Sequence, residues 1–371
     1  MNNDQQKKIC ILTSVHPVFD TRIFHKQAKT LAKAGYDVTL VVQHDRAETL
    51  KGVKILPLER PANRLSRMLK TTLQVWRKAV KQEAAIYHIH DPELIPVGLL
   101  LKLQGKKVIY DVHEDVPCQI LTKHWISKPL RKTIAWLVER IESFAAKRLD
   151  AVITATPFIR DRFKRLDCDA EDVNNFPILS EMHLPDADWS KKERAVCYVG
   201  GISEIRGIYE MIEAIGQADA KLLLAGQFSP ADVRNRAAAM PGWSKVEELG
   251  QLNRIEVKEV LSRASAGIVL FHSAPNHTDA QPNKMFEYMS AGIPVVASDF
   301  PLWKEFVEGN YCGICVNPLS LQAITQAIQW IINHPDEARC MGENGRRAVE
   351  ERYNWEQEAN KLLSLYEEML V

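Results

Sequence analysis

The sequence predicts an α/β chain of two doubly wound, Rossmann-like domains. Short apolar, β-rich runs alternate with helical segments along almost the whole chain, the pattern of parallel sheets covered by helices. The polar and charged residues that follow those runs gather at their carboxyl ends, where open parallel sheets bind ligands. And 371 residues exceed what one hydrophobic core usually holds.

The elements follow in order. Residues 9–13 read as a buried strand, 26–34 as a helix closed by Gly35, and 38–42 as a second strand, which together make a right-handed βαβ unit. The connecting loop, 14–26, contains His16-Pro17 and Asp20-Thr21-Arg22. It has no G-x-G-x-x-G, so the dinucleotide fingerprint is absent. Residues 62–81 form a basic amphipathic helix, with Leu65, Met68, Leu69 and Leu73 between Arg64, Arg67, Lys70 and Arg77. Such a helix either lies on an anionic membrane or packs with one solvated face. Strands are expected at 86–90 and 107–110, with a helix at 94–103 stopped by Gly105. A second basic amphipathic stretch, 125–149, opens on Trp125 and includes Trp136. A strand at 151–155 follows, and an Asp- and Pro-rich linker spans 174–190.

The second half begins with a strand at 195–199, the turn Gly200-Gly201-Ile202-Ser203-Glu204-Ile205-Arg206-Gly207, and a helix at 208–215. Strands are expected at 221–224, 246–249, 266–271, 293–297 and 313–316. Helices are expected from Pro282 to Ala291 and at 321–333, 335–353 and 356–370. The predicted boundaries are 1–180 for the first domain, 181–355 for the second, and 356–371 for the last helix.

Strand-end positions give the candidate site. Asp279, Asn283 and Lys284 lie between a strand end and a helix start, where a helix N-terminus favours phosphate. Glu287 lies in the first turns of that helix, within reach of ribose hydroxyls. Gly200 and Gly201 let a backbone approach a phosphate, and Arg206 can pair with a diphosphate through its fork of donors. In the first half, His113 stands in Asp111-Val112-His113-Glu114-Asp115 at the end of a strand, placed to orient a group or move a proton. Asp20 and Arg22 are further candidates; the structural alternative is a capping Asp with a salt-bridged Arg.

The stretch from Asp279 to Ser298, which from Pro282 reads Pro-Asn-Lys-Met-Phe-Glu-Tyr-Met-Ser-Ala-Gly-Ile-Pro-Val-Val-Ala-Ser, resembles the acid-x7-acid segment of retaining, nucleotide-sugar-dependent glycosyltransferases of family 4. The segments 16–26, 86–115 and 197–207 resemble the same family. The resemblance implies a GT-B fold: two Rossmann-like domains facing a cleft, with the last helix crossing back to the first. It implies transfer of a hexosyl unit from a nucleotide diphosphate sugar, preferably a UDP-sugar, to a lipid-linked or saccharide acceptor of surface polysaccharide. It assigns His113 and Asp279 to the donor sugar, Arg206 and Lys284 to the leaving diphosphate, Glu287 to the ribose, and Gly200, Gly201, Asn283 and Arg22 to the nucleotide surroundings. No metal or other cofactor is implied. Three positions depart from the family pattern. Asp279 replaces the usual Glu, His16-Pro17 replaces a phosphate-touching Gly-Gly, and Gly201 replaces a basic residue that Lys284 or Arg22 would have to supply.

Composition narrows the remaining classes. The hydrophobic share of 46% and charged share of 26% are ordinary for a globular chain. No apolar run is long enough to cross a bilayer, and the polar first residues leave no room for a secretory signal. The seven cysteines point to reduced thiols in a cytoplasm. Cys312 and Cys315 read as small residues around a strand, and zinc on His88, His90 and His113 would lack a closed ligand set. Residues 1–190 carry 30 Lys+Arg against 23 Asp+Glu, net +7, and the rest 18 against 24, net −6. The basic half favours an anionic surface, such as the inner face of a membrane. No nucleic-acid-binding module is recognisable. The alternatives are a non-catalytic nucleotide-sugar-binding partner on the same fold and a sugar-nucleotide epimerase.

Overall fold

The structure is a computed structural model and describes residues 7–123, 126–182 and 189–371. Trp125 and residues 183–188 of the expected linker lie outside the described residues. The chain divides into two compact units, Met1–Asn175 with Glu356–Val371, and Phe176–Trp355. The division falls before residue 180 because Phe176 packs edge-on against Phe286 and Tyr353, with ring centroids 4.8 and 5.4 Å apart. Asn174 and Asn175 stay with the first unit. Glu358 accepts from the Asn174 backbone N–H at 2.7 Å, and Lys26 donates to the Asn175 side chain at 2.6 Å.

The first unit holds eight strands: β1 (Lys8–Pro17), β2 (Asp37–Gln43), β3 (Glu48–Leu50), β4 (Val53–Leu58), β5 (Ile86–Ile89), β6 (Lys107–Val112), β7 (Ala151–Thr154) and β8 (Ala170–Asp172). Their order in the sheet is β3-β4-β2-β1-β5-β6-β7-β8. Every pair is parallel except the β3–β4 hairpin. The strands expected at 9–13, 38–42, 86–90, 107–110 and 151–155 are all present. The strands β3, β4 and β8 were not foreseen: two are only three residues long, and β4 carries Pro57, which discourages a strand assignment.

The helix expected at 26–34 starts earlier. Helix α1 is π-wound over Thr21–Ala28 and continues as Lys29–Lys33. Asp20 caps it, its carboxylate accepting from the backbone N–H groups of Arg22 and Ile23 at 2.8 and 2.9 Å. The basic helix at 62–81 is observed as α2, formed by Arg64–Ser66, the π-wound Arg67–Thr71 and Thr72–Val80. Helices α3 (Ile95–Leu103), α4 (Val116–Thr122), α5 (Lys128–Ala146) and α6 (Pro157–Lys164) complete the main layers. Glu142 of α5 is buried, accepting from the Tyr110 hydroxyl at 2.8 Å and from Arg162 at 2.5 Å. That network ties α5 and α6 to β6.

The second unit holds β9 (Ala195–Val199), β10 (Lys221–Ala225), β11 (Val246–Gly250), β12 (Ala266–Val269), β13 (Val295–Ser298) and β14 (Gly313–Val316). All its pairs are parallel, in the order β11-β10-β9-β12-β13-β14. Counted from β9 this is 3-2-1-4-5-6, the order of a dinucleotide-binding fold, with its switch point between β9 and β12. Its helices include α7 (Ile208–Gln217), α8 (Arg254–Arg263), α9 (Asn283–Ser290), α10 (Pro301–Val307), α11 (Leu321–Asn333) and α12 (Pro335–Glu351). Pro282 stands just before α9 as its N-cap residue. The last helix, α13, spans Trp355–Leu370. From Glu356 onward it belongs to the first unit, where Leu362 and Tyr366 are buried.

Candidate active site

In the second unit Gly200, Gly201, Arg206 and Lys284 come together just beyond β9. The chain leaves β9 through Gly200, whose φ of +128° suits glycine and few other residues. A Cβ there would stand 3.0 Å from the Lys284 ammonium. The loop then turns through Glu204–Arg206 to Gly207, at φ +74°, where a Cβ would lie 2.1 Å from the Leu270 carbonyl oxygen. That close approach pins the start of α7 against the end of β12. The Tyr198 hydroxyl donates to the Gly201 carbonyl at 2.7 Å, and Arg206 donates to the same oxygen at 2.9 Å.

Lys284 is the most unusual group here. It enters from the first turn of α9 and is buried. Its Nζ lies 3.8 Å from the centre of the Tyr198 ring and 5.4 Å from that of Phe271. Among the described residues it makes no hydrogen bond. Burial, and then the charge of Arg206, hold its pKa well below the usual lysine range, against the pull of Glu287. A buried ammonium without a hydrogen-bond partner is costly. An anion beside Nζ would remove that cost.

Arg206 lies with its guanidinium carbon 5.5 Å from the Phe271 ring centre. A Cβ on residue 201 would come within 2.5 Å of Arg206 Nη1. The glycine at 201 therefore opens the space that Arg206 occupies.

Glu287 sits one turn along α9, mostly buried. Its Oε1 accepts from Arg254 Nη1 at 2.7 Å, and Arg254 Nη2 reaches Glu181 at 2.9 Å. Arg254 opens α8, whose Asn253 cap is closed by a reciprocal hydrogen bond with Glu256. A pairing across 33 positions leaves no local signal in the sequence. A second unforeseen pair joins His272, just beyond β12, to Glu210 of α7 at 3.1 Å. Asp279 is half-buried in the loop before α9, its carboxylate accepting from the Thr278 hydroxyl at 3.1 Å. Trp303 holds that loop by donating to the Ala280 carbonyl at 2.8 Å. Asn283 is exposed at the start of α9.

The first unit gathers its polar residues beyond β1, β5 and β6. Arg22 is not available as a ligand contact. It is buried, paired with both oxygens of Asp111 at 2.9–3.3 Å, and donates to the Val173 carbonyl at 2.6 Å. The structural alternative, a capping Asp20 beside a salt-bridged Arg22, is what the structure contains. Asp111 also accepts from Gln27 at 2.6 Å. Three imidazoles surround it, those of His88, His90 and His113 at 3.4, 3.7 and 3.6 Å. His88, His90 and Asp111 could bring ligand atoms together within 4.8 Å. However, the Arg22 guanidinium stands 2.9 Å from that carboxylate, which disfavours a second cation.

His113 points its Nε2 inward, 2.9 Å from His90 Nδ1. Burial takes its pKa down to about 3 despite the pull of Asp111, so at neutral pH it is uncharged. His16 behaves in the opposite sense. It lies 3.5 Å from both Asp20 and Asp91, and its ring is 4.8 Å from that of His113. Burial lowers its pKa, but the Asp20 hydrogen bond and the nearby carboxylates outweigh it and the net shift is upward. Asp91 in turn accepts from the Thr13 hydroxyl and from the Ser14 backbone, at 2.9 and 2.6 Å. Cys312 and Cys315 are free thiols, both pushed up to about 12 by burial, as the reading of small packed residues requires.

Both units match known family models. Residues 21–177 match the glycosyl transferase 4-like domain, and residues 182–348 match glycosyl transferases group 1. The chain is a GT-B glycosyltransferase of the family 4 type. As such it is a hexosyltransferase, and the two sheets above are its two Rossmann-like domains. Among curated relatives of this glycosyltransferase is the MMP α-(1→4)-mannosyltransferase of Mycolicibacterium hassiacum. The two are 21% identical over 294 residues, covering 76% of this chain and 70% of that protein. The O-antigen chain mannosyltransferase C of Escherichia coli is 24% identical over 308 residues, covering 79% and 78%. The fold is similar to that of Anabaena HepE in complex with UDP-glucose, with a TM-score of 0.75 and 16% identity over 97% of this chain and 99% of that one.

Proposed function

We propose that this glycosyltransferase moves a hexosyl unit from a nucleotide diphosphate sugar, with a UDP-sugar favoured, to a lipid-linked or saccharide acceptor in surface polysaccharide synthesis, with retention at the anomeric carbon. The observation that carries the reading is Lys284. It is a buried amine with no hydrogen bond among the described residues, beside Arg206 and the Gly200–Gly201 backbone, at the strand-order switch of a dinucleotide-type sheet. That arrangement suits a diphosphate. The UDP-glucose complex of the neighbour supports a uridine nucleotide, and the O-antigen relative supports a polysaccharide acceptor.

In this mechanism the bond from the anomeric carbon to the diphosphate oxygen breaks while the acceptor oxygen bonds to the same carbon from the same face. The acceptor proton passes to the departing diphosphate. Lys284 and Arg206 stabilise the charge that develops there, the main electrostatic contribution to the rate. Glu287, steadied by Arg254, takes the ribose, with Asn283 and Gly201 beside the nucleotide. Asp279 and the neutral His113 take hydroxyls of the transferred sugar. These cations supply the charge stabilisation that a metal provides in other transferases, so no metal ion is required.

The acceptor side is proposed to work against an anionic membrane at its cytoplasmic face. Exposed Leu65, Met68 and Leu69 on α2 and Trp136, Leu137 and Ile141 on α5 stand among arginines and lysines. No helix among the described residues is long and apolar enough to cross a membrane.

Replacing Arg206 by alanine tests the diphosphate assignment. The expected result is a fall in kcat of about 100-fold, the scale of losing one transition-state donor, with the fold intact by circular dichroism. Unchanged turnover would remove the assignment.

A further inference from the structure

We propose that His90 is a positioning residue: it holds His113 in the tautomer that carries its proton on Nδ1, so that His113 meets its ligand only as a neutral hydrogen-bond donor. This rests on the reading of His113 as a contact to a sugar hydroxyl, and goes further by fixing the direction of that hydrogen bond.

The geometry leaves two arrangements. His90 Nδ1 and His113 Nε2 lie 2.9 Å apart, so one nitrogen donates and the other accepts. Both rings are neutral. Burial depresses His90 well below the usual histidine range, and His113 to about 3. If His113 donated through Nε2–H, neutral His90 would have to carry its own proton on Nε2. That nitrogen is buried and has no partner among the described residues. An orphaned buried N–H is rarer and costlier than an unused acceptor lone pair. The reverse arrangement leaves only a lone pair at His90 Nε2. His90 then donates from Nδ1, His113 accepts at Nε2, and the single proton of His113 resides on Nδ1.

The surroundings do not overturn this choice. Asp111 is nearly equidistant from the two nitrogens, at 3.6 Å from His113 Nε2 and 3.7 Å from His90 Nδ1. Its attraction for an N–H is therefore the same in either arrangement, and its oxygens are already engaged by Arg22 and Gln27. The rings are held by packing. His88 stacks on His90 at 4.3 Å, His113 meets His90 edge to face at 5.1 Å, and His16 lies 4.8 Å beyond. His88 is fixed in turn by the Tyr366 hydroxyl at 2.7 Å from its Nδ1.

The chemical consequence is a selection rule. A donor at His113 Nδ1 needs an acceptor oxygen. A hydroxyl, carbonyl or carboxylate at the facing sugar position satisfies it, and an ammonium, which has no lone pair, does not. The facing hydroxyl accepts from His113 and keeps its own proton to donate elsewhere.

The test is the nitrogen spectrum of the full chain labelled with ¹⁵N-histidine, with His113 assigned through H113Q. The expected result is a protonated Nδ1 and an unprotonated Nε2 at His113, unchanged between about pH 5 and 8. H90F removes the donor and should lose that pattern, together with roughly 10-fold in kcat/KM. H90N, whose amide nitrogen can stand in for Nδ1, should restore both in large part. A native spectrum with the His113 proton on Nε2, or an H90F protein that keeps it on Nδ1, overturns the proposal. If H90F does not fold, the native spectrum decides alone. Unchanged transfer in H113A would instead sink the sugar contact, and the spectrum would still decide the tautomer.

Discussion

Replacing Arg22 with alanine would leave Asp111 buried without the guanidinium that pairs with it. Removing one partner of a buried ion pair costs about 3–5 kcal/mol. The expected outcome is a loss of that size in denaturant unfolding, with nucleotide affinity unchanged in protein that remains folded. A variant of native stability that binds nucleotide more weakly would return Arg22 to the ligand contacts. Lys284 makes the complementary case, a buried amine held for a ligand. Burial and Arg206 depress its pKa in the free protein, and a bound diphosphate should restore it. At pH values between the two, binding must take up a proton. Calorimetry of nucleoside diphosphate binding in buffers of different ionisation enthalpy reads that uptake directly. K284M should abolish it, and absence of uptake in the native protein at any pH below the ordinary lysine range would contradict the assignment.

At the scale of elements, α2 and α5 present one packed face and one apolar-and-basic face. Thr71, Val75 and Ala79 are buried on α2, while Leu65, Met68 and Leu69 are at least half exposed. Trp136 on α5 is 55% exposed and lies under the Arg140 guanidinium at 5.6 Å. If these faces meet a membrane, the protein should sediment with vesicles of anionic lipid and release as salt shortens the Debye length from about 10 Å at 0.1 M. Binding that is absent at low salt, or indifferent to salt, would remove the membrane from the account. Elements of this kind were legible because their periodicity is local. The π-wound start of α1 was not: it depends on Asp20 capping a helix that also carries buried Arg22, a charged residue that reads from sequence as loop. The strands β3 and β8 were too short to announce themselves.

On the scale of the whole molecule, each unit concentrates its unusual groups where the strand order reverses. In the second unit that place was readable, because Gly200, Arg206, Lys284 and Glu287 each follow a strand end or open a helix. What could not be read was which side chains would be used up by partners distant in sequence. Arg22 finds Asp111 across 89 positions, and Arg254 finds Glu287 across 33. Nothing local separates an arginine held for a ligand from one held by a carboxylate. The departure at Gly201 also acquires meaning only in three dimensions, where Arg206 fills the space above Gly201. The measurement that bears most directly on the central claim is nucleotide release by the purified protein from a panel of UDP-, GDP- and ADP-sugars, with and without bacterial membrane extract. The account predicts slow release from one donor, accelerated by the extract. Tight binding of a nucleotide sugar with no turnover under any condition would contradict it.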